Sequence, residues 1–421
     1  MVRGLSEDDS YNRQGGLPAP QAGRSTIFIR VKKQTRIIRT QTPKTGYREH
    51  SSPLFLTSSF TFESAEQGKA LFDETEHGNL YSRFSNPTVQ EFIDRVCIME
   101  GYEDGVATAT GMAAVFASFA SYLSAGDHLV SSKALFGSAH QIITQILVKW
   151  GITYTYVDAT APEAEWEAAI QPNTKMIYLE TPSNPGLELV DMEMIGKLSK
   201  KHGLIFNVDN CFATPVLQNP VDYGADLVVH SATKFMEGQG RVLGGVLVGS
   251  KELIKPARFF ARQTGPSLSP FNAWVLSKSL ETLDLRMERH SGNALKLAQS
   301  TESHPLVKKV NYPFLPSPPQ YELARKQMTA GGGILTIELE GGFERISRFM
   351  KALTLVTLTS NLGDTRTIIT NPYTTTHAKL SPEDKLSLGI TEGLVRVSVG
   401  LEDADDLVAD FVQAVEASAS K

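Results

Sequence analysis

The sequence predicts an α/β protein with a mainly parallel central sheet, followed by a smaller α+β domain. Short apolar runs alternate with amphipathic stretches between about residues 102 and 265. This is the pattern of strand–helix–strand units, which form parallel sheets covered by helices. Several of the runs are continuously apolar, as expected for strands that are buried on both faces.

The first of these domains contains six predicted strands. They are His128–Ser131, Thr153–Val157, Met176–Glu180, Leu204–Asp209, Leu227–His230 and Val246–Val248. Helices are predicted between the early strands, at Ser138–Trp150, Pro162–Ile170 and Met192–His202. Ligands on such sheets bind at the carboxyl ends of the strands, so the polar residues just after each strand are the candidates for function.

The composition changes after Gly265, where the second domain begins. Phe271 to about Gln299 is predicted to be one long helix. Ile334–Leu339 and Leu394–Val399 alternate with period 2, which indicates half-buried strands. Helices are predicted at Glu344–Leu353 and Asp403–Ala417.

The composition argues against several classes of protein. With 41 basic and 46 acidic residues, the formal charge of −5 does not favour nucleic-acid binding. Two cysteines, Cys97 and Cys211, provide no disulfide framework, so we expect a reducing, cytoplasmic location. The apolar stretch Gly111–Ala125 is shorter than the roughly 20 residues of a membrane span. No metal site is predicted, because the nine histidines include no H-E-x-x-H motif and no Cys/His cluster.

A set of polar residues follows three of the predicted strands, and it suggests a specific chemistry. Its members are Asn184, Asp209, Ser231, Thr233 and Lys234. A lysine with a lowered pKa can form an imine with an aldehyde cofactor. A carboxylate that faces a pyridine nitrogen keeps that nitrogen protonated, which makes the ring an electron sink. A solvated lysine and a turn-capping aspartate are the alternative, but the ordered set favours the cofactor chemistry.

Two further segments are candidates for phosphate binding. Thr110-Gly111-Met112 opens a predicted helix, and the N–H groups at a helix start suit a phosphate. An ordinary glycine turn is the alternative, because neither a P-loop nor a dinucleotide fingerprint is present. Tyr81 and Arg83 lie in a polar stretch upstream. Arg83 is either a phosphate ligand that reaches another subunit's site or a surface charge, and the local sequence leaves both open.

Arg396 is a candidate for substrate binding. It shares one face of its strand with Leu394 and Ser398, while Val395 and Val397 occupy the other face. A half-buried arginine needs an anionic partner. A structural Asp or Glu and the α-carboxylate of an amino-acid substrate both remain open on this argument. Cys211 is interpreted as a small packing residue near Asp209.

The motifs together resemble the Cys/Met-metabolism family of pyridoxal-phosphate (PLP) enzymes, which has the aspartate-aminotransferase-like fold (fold type I). Ser231-Ala-Thr-Lys234 followed by Gly238-Gln-Gly-Arg-Val-Leu-Gly-Gly245 is similar to that family's Schiff-base signature. The resemblance runs from about Thr40 to the C-terminus. It includes Tyr81-Ser-Arg-Phe-Ser-Asn-Pro-Thr88, Glu180-Thr-Pro-Ser-Asn-Pro185, Asp209-Asn, Gly265-Pro-Ser-Leu-Ser-Pro270 and Val395-Arg-Val-Ser-Val-Gly-Leu-Glu-Asp403.

The resemblance implies a role for each matching residue. Lys234 would hold the cofactor aldehyde and remove the substrate's Cα proton, Asp209 would pair with the pyridine nitrogen, and Asn184 would lie near the ring hydroxyl. The phosphate would be bound by Gly111, Met112, Ser231 and Thr233, with Tyr81 and Arg83 from the neighbouring subunit. Arg396 and Ser360 would bind the substrate. The shared phosphate site implies an obligate dimer, and the family commonly forms homotetramers.

The composition of the first 33 residues, which lie outside the resemblance, and the resemblance of the rest divide the chain into four parts. They are a disordered extension (1–33), an arm with intersubunit contacts (34–95), a PLP-binding large domain (96–265) and a C-terminal small domain (266–421).

Two departures from relatives narrow the implied activity. Phe136 occurs where the lyase and cystathionine-synthase branches have a ring-stacking Tyr, so more of the proton transfer would fall to Lys234. Ser360-Asn-Leu-Gly-Asp-Thr-Arg366 lacks the Glu of those branches and is similar to the sulfhydrylases. The implied reaction converts O-succinylhomoserine and sulfide to homocysteine and succinate, in methionine biosynthesis.

Other readings of the same residues stay open. Cysteine as the nucleophile, the acetyl ester as the substrate, and a catalytically silent PLP-binding scaffold are the alternatives. Intact Lys234, Asp209 and Arg396 argue against the scaffold. Arg241 and Arg366 are candidates for reading the acyl carboxylate, with surface salt bridges as the alternative.

Overall fold

The large domain is built on a seven-stranded sheet. The computed structural model describes residues 31–419; residues 1–30 of the predicted extension lie outside that range, and α1 begins at Lys33. The strands are β1 (Asp104–Thr108), β2 (His128–Ser132), β3 (Thr153–Val157), β4 (Thr174–Glu180), β5 (Ile205–Asp209), β6 (Leu227–His230) and β7 (Gly245–Gly249).

The strand order is β1-β7-β6-β5-β4-β2-β3. Strands β6, β5, β4, β2 and β3 are mutually parallel, while β7 runs antiparallel to both of its neighbours. The predicted mainly parallel sheet is therefore confirmed, and β1 is an addition that was not predicted.

Helices cover both faces of this sheet. The helices before residue 265 are α1 (Lys33–Arg39), α2 (Ala65–Phe72), α3 (Pro87–Glu100), α4 (Gly111–Ala120), α5 (Gly137–Gln141), α6 (Glu163–Ala168), α7 (Met192–His202), α8 (Thr214–Leu217) and α9 (Lys251–Thr264). The predicted helix Ser138–Trp150 is less regular than expected, because α5 passes into a π-helical turn at Ile142–Ile146 and a 3-10 turn at Leu147–Trp150. One apolar cluster on each face holds helices to sheet: Phe92 and Phe206 are buried in one, Phe119 and Tyr178 in the other.

The small domain has a five-stranded sheet of order β10-β11-β12-β9-β8. Its strands are β8 (Lys309–Asn311), β9 (Ile334–Glu338), β10 (Thr357–Leu358), β11 (Ile368–Thr370) and β12 (Leu394–Ser398). The helices after residue 265 are α10 (Pro270–Leu280), α11 (Leu283–Glu302), α12 (Tyr321–Gln327), α13 (Gly342–Ala352), α14 (Pro382–Ser387) and α15 (Ala404–Ala419). The predicted α+β character of this domain is confirmed.

The prediction of one long helix from Phe271 to Gln299 is wrong. The chain leaves helical geometry at Thr282, which has φ −117° and separates α10 from α11. Two buried guanidinium groups form hydrogen bonds with backbone carbonyl groups near this break. Arg95 donates to Ser277 O, and Arg286 donates to Ser279 O. Hydrophobic periodicity does not depend on such tertiary contacts, and it continues across Thr282. The pattern therefore predicted one uninterrupted helix.

The two faces of β12 have different partners. Val395 and Val397 are buried in the apolar cluster of the small domain, together with Phe349 of α13 and Phe411 of α15. Arg396 points the other way, and its Nη1 donates to Asn184 Oδ1 of the large domain at 2.9 Å. This strand therefore carries a cation to the carboxyl edge of the large sheet. Within residues 31–419, no helix has the length and hydrophobicity needed to cross a membrane.

Candidate active site

Lys234 lies in the turn that follows β6, at the carboxyl edge of the large sheet. Its Nζ donates to Asn361 Oδ1 at 2.8 Å, which links the large domain to the loop before β11. Burial lowers the pKa of Lys234, and the nearby positive charge of Arg396 lowers it further. A lysine with a lowered pKa holds a larger fraction of neutral amine, the form that attacks an aldehyde.

Asp209 ends β5, beside the turn that carries Lys234. Its Oδ1 accepts a hydrogen bond from the backbone N–H of Cys211 at 3.0 Å. Burial raises the pKa of Asp209 to about 6, although the Cys211 N–H and the nearby His230 act in the opposite direction. Such a carboxylate is stabilised by any cationic nitrogen that comes next to it.

Gly111 and Ser231 form a close contact at the start of α4. A Cβ atom on Gly111 would lie 2.4 Å from the Cβ of Ser231, so only glycine permits this approach. Thr110 caps α4 by accepting from Ala113 N–H, while the N–H groups of Gly111 and Met112 have no acceptor within the helix. The arrangement leaves two helix N–H donors beside a serine hydroxyl, which suits a phosphate.

Thr233 completes this side of the site. Its hydroxyl donates to Gly244 O at 3.2 Å and accepts from Gly244 N–H at 3.1 Å. These contacts fix the segment after Ser231 against the segment that leads into β7.

Arg396 of β12 is buried, with 2% of its surface exposed. Besides its bond to Asn184, its Nη2 donates to the carbonyls of Ser360 (3.1 Å) and Asn361 (3.0 Å). Among residues 31–419 no carboxylate forms an ion pair with Arg396, and its Nε has no hydrogen-bond partner. Burial lowers the pKa of Arg396 to about 10, so the group remains a cation at neutral pH.

Phe136 precedes α5, and its backbone N–H donates to Glu180 Oε2 at 2.7 Å. Ser360 reaches the site through its carbonyl group, whereas the side chain in this loop that contacts Lys234 is that of Asn361. Sequence reasoning missed both Asn361 and Glu180. Asn361 adjoins the predicted Ser360, and Glu180 is the last residue of a predicted strand, so position in the motifs was the available signal.

Tyr81 and Arg83 lie apart from these groups. Arg83 donates to the carbonyl of Arg262 and lies over the ring of Phe84, 4.7 Å from its centroid. In the described part of the chain, neither Tyr81 nor Arg83 makes a hydrogen bond or ring contact with the strand-end residues. The ring of Tyr81 is 44% exposed, so it is available to a second molecule.

The two arginines proposed to read an acyl carboxylate already have partners. Arg241 Nε pairs with Glu237 at 2.5 Å, and Arg366 Nε pairs with Asp364 at 3.0 Å. The salt-bridge alternative therefore describes what both side chains do in this structure. The described residues contain no group of three metal-ligating side chains.

The donor set fits pyridoxal phosphate. The amine of Lys234, whose pKa is lowered, matches the aldehyde of that cofactor. The buried carboxylate of Asp209 matches the ring nitrogen, and the contact of Gly111 with Ser231 at the start of α4 matches the phosphate. Asp209 and Lys234 follow adjacent parallel strands, so both lie at the same edge.

Comparison with known proteins identifies the family. A model of the Cys/Met metabolism PLP-dependent enzymes matches residues 34–416. The chain is 45% identical over 383 residues to an O-succinylhomoserine sulfhydrylase of Pseudomonas aeruginosa, covering 91% of this chain and 95% of that one. It is 41% identical over 364 residues to an L-methionine gamma-lyase of Porphyromonas gingivalis, covering 86% and 91%.

A solved structure shows the same fold. It is that of an O-acetylhomoserine (thiol)-lyase from Campylobacter jejuni, which contains a pyridoxyl-lysine monophosphate. The TM-score is 0.88 at 34% identity, and the match covers 92% of this chain and all of that one. The predicted fold and the predicted cofactor are thereby confirmed, and the chain belongs to the Cys/Met metabolism family of PLP-dependent enzymes.

Proposed function

We propose that this enzyme catalyses a γ-replacement in which sulfide displaces succinate from O-succinylhomoserine, giving homocysteine. In this reaction the Cγ–O bond breaks and a Cγ–S bond forms. The observation that carries the amino-acid part of the proposal is Arg396, a buried cation without a carboxylate partner among the described residues. The α-carboxylate of an amino acid is the anion that such a site lacks.

The proposal gives Lys234, Asn361 and Asp209 one task each. When bound, pyridoxal phosphate supplies an aldehyde for the amine and a ring that absorbs negative charge. Lys234 supplies the amine that holds the cofactor and, when free, the base that takes the proton from Cα of the substrate. Asn361 orients that amine by accepting from Nζ. Asp209 keeps the ring nitrogen protonated by staying ionised beside it.

Phe136 contributes an apolar face without a hydroxyl group. A phenyl ring packs on an aromatic cofactor as well as a tyrosine ring does, but it transfers no proton. Proton transfers at Cα and Cβ therefore depend on Lys234. Among residues 31–419, it is the only lysine whose amine forms a hydrogen bond with a residue of the candidate site.

We further propose that Tyr81 and Arg83 bind the cofactor phosphate of a neighbouring subunit, in an obligate dimer that pairs into a tetramer. The exposure of Tyr81 supports this, as does the separation of Arg83 from the phosphate cradle of its own chain. Sedimentation of the PLP-bound protein measures the assembly, and a monomer with full activity would contradict this part of the proposal.

Side-by-side initial rates test the proposed reaction. The holoenzyme is assayed with O-succinylhomoserine or O-acetylhomoserine, each with sulfide or cysteine, and with methionine alone. We expect the highest kcat/KM with O-succinylhomoserine and sulfide. Faster turnover with cysteine indicates a cystathionine γ-synthase, and faster turnover with the acetyl ester indicates an O-acetylhomoserine enzyme. Elimination from methionine as the fastest reaction indicates a γ-lyase, and no turnover at all indicates a PLP-binding scaffold.

A further inference from the structure

Glu180 is a buried carboxylate at the centre of the site to which the proposed reaction gives no task. It ends β4 and is paired in register with Asp209 at the end of β5. Only 5% of its surface is exposed. No lysine or arginine forms an ion pair with it among residues 31–419, although Arg396 is near enough to affect its charge.

Each oxygen of Glu180 accepts one backbone N–H from a different segment of the site. Oε2 accepts from Phe136 at 2.7 Å, and Oε1 accepts from Asn184 at 2.8 Å. Phe136 begins the segment proposed to stack on the cofactor ring. Asn184 holds Arg396 through its side chain, so its backbone and side chain link Glu180 to the proposed α-carboxylate subsite.

The surroundings make these two hydrogen bonds important. Burial and the neighbouring carboxylate of Asp209 raise the pKa of Glu180, whereas its two N–H donors and Arg396 act to lower it. A buried N–H that loses its acceptor is costly, so the segments of Phe136 and Asn184 are held in place as long as Glu180 presents both oxygens.

We propose that Glu180 is a positioning residue that fixes two groups relative to Asp209: the ring-stacking Phe136, and Asn184, whose side chain holds the carboxylate-binding Arg396. Both ends of the ligand are then held by one rigid unit. This inference rests on the proposed function for the roles of Phe136 and Arg396. It concerns the chain's own hydrogen bonds and does not depend on which homoserine ester is the substrate.

Glutamine is the informative substitution at this position. It keeps the shape of the side chain, but it offers only one oxygen acceptor, and its amide NH2 would face a second N–H donor. One of the two segments must therefore lose its hydrogen bond in Glu180→Gln. Glu180→Asp keeps both oxygens on a shorter side chain, and it serves as the second variant if Glu180→Gln does not fold.

The small domain contains a matched control. Asp410 is also 5% exposed, and it accepts the backbone N–H groups of Thr354 (3.0 Å) and Leu355 (3.0 Å). Asp410→Asn removes the same kind of contact from the turn after α13, whose flanking residues Leu353 and Val356 belong to the apolar cluster of the small domain.

The test compares the PLP-bound proteins by four measurements: the visible circular dichroism of the bound cofactor, the Kd for PLP, the KM and kcat, and the Tm. For Glu180→Gln we expect an altered dichroism band and increases of about tenfold in both the Kd for PLP and the KM, with a smaller loss in kcat. Glu180→Asp is expected to change the same quantities in the same direction by less. Asp410→Asn is expected to lower the Tm and to leave the other three unchanged.

The proposal is overturned if the folded Glu180 variants lower the Tm as Asp410→Asn does but keep the wild-type dichroism, Kd and KM. That result would make Glu180 an ordinary structural carboxylate. Because the dichroism and the Kd for PLP involve no homoserine ester, they are informative even if O-succinylhomoserine is not the substrate. Shifts in both, with no turnover of that ester by the wild type, would reject the proposed reaction and retain the role of Glu180.

Discussion

Two buried arginines in different regions of this chain have opposite electrostatic surroundings. Arg95, at the junction of α3 and α10, pairs with Glu91 at 3.2 Å and with Glu281 at 2.9 Å. Arg396, between the two domains, contacts an amide oxygen and two carbonyls and pairs with no carboxylate among the described residues. The Nε atoms of both arginines lack a hydrogen-bond partner. The two residues therefore differ in whether a carboxylate pairs with the guanidinium group. The charge of Arg95 is neutralised by carboxylates within the fold, whereas the hydrogen-bond partners of Arg396 are all uncharged, so Arg396 can still bind an anionic ligand.

The largest expected effect is at the balanced arginine. Arg95→Met would leave the buried Glu91 without its cation, although Glu281 would keep its ion pair with Lys278 at 3.0 Å. Removing one partner of a buried pair costs about 3–5 kcal/mol of unfolding free energy. We expect the KM of the folded protein to remain unchanged, since Arg95 contacts no residue of the site. Urea denaturation measures the free energy of unfolding, and steady-state kinetics measure the KM. A raised KM with an unchanged free energy of unfolding would contradict the assignment of a structural role to Arg95 and a substrate-binding role to Arg396.

Asp209→Asn tests the anionic side of the site. A buried hydrogen bond to a charged group contributes about 1.5–3 kcal/mol, so we expect the Kd for PLP to rise about 10- to 100-fold. In the wild type, the raised pKa of about 6 means that Asp209 must lose a proton before it can pair with a ring cation. PLP binding should therefore tighten as the pH rises through 6 and then level off. The Asn variant should lack this component, and an identical pH profile in both proteins would contradict the assignment.

Arg396→Lys changes the cation that lacks a carboxylate. Lysine keeps the charge but cannot reproduce the fork of donors that binds a carboxylate, so we expect the KM for the amino acid to rise about tenfold or more. The matched substitution Arg95→Lys should change stability and leave the KM alone. Equal effects of the two substitutions on KM would show that the difference in their surroundings has no functional meaning.

Asn361→Ala has the smallest expected effect. The amide oxygen of Asn361 stabilises the charged form of Lys234, so its loss should lower the pKa of Lys234 further. We expect the limb of the pH–rate profile that reports Lys234 to move to lower pH, and kcat to fall about fivefold because the amine is less well oriented. A pH profile that does not move would show that this hydrogen bond is absent in the working enzyme.

The sequence was most informative where local patterns determine position. Asn184, Asp209 and Lys234 could be grouped in advance, because the carboxyl ends of parallel strands meet at one edge of the sheet. The inward and outward faces of β12 followed from alternation alone, which placed Arg396 opposite the core valines. These inferences need only the period of the strand and the direction of the chain.

The remainder depends on contacts between distant segments. Asn361 meets Lys234 only because the two domains pack together, and the residues are 127 positions apart in the chain. Glu180 accepts the N–H of Phe136, which is 44 positions away in the chain, so only the fold brings these two groups together. The break between α10 and α11 likewise coincides with contacts from Arg95 and Arg286, so apolar periodicity did not reveal it.

The most direct test of the central claim is to locate the lysine that holds the cofactor. The PLP-bound protein is reduced with borohydride, digested and mapped by mass spectrometry, beside a Lys234→Ala variant. We predict a pyridoxyl group on the peptide that contains Lys234, and in the variant loss of this label, of the visible absorbance and of turnover. A label on another lysine, or unchanged turnover by Lys234→Ala, would contradict the assignment of the strand-end residues as the active site.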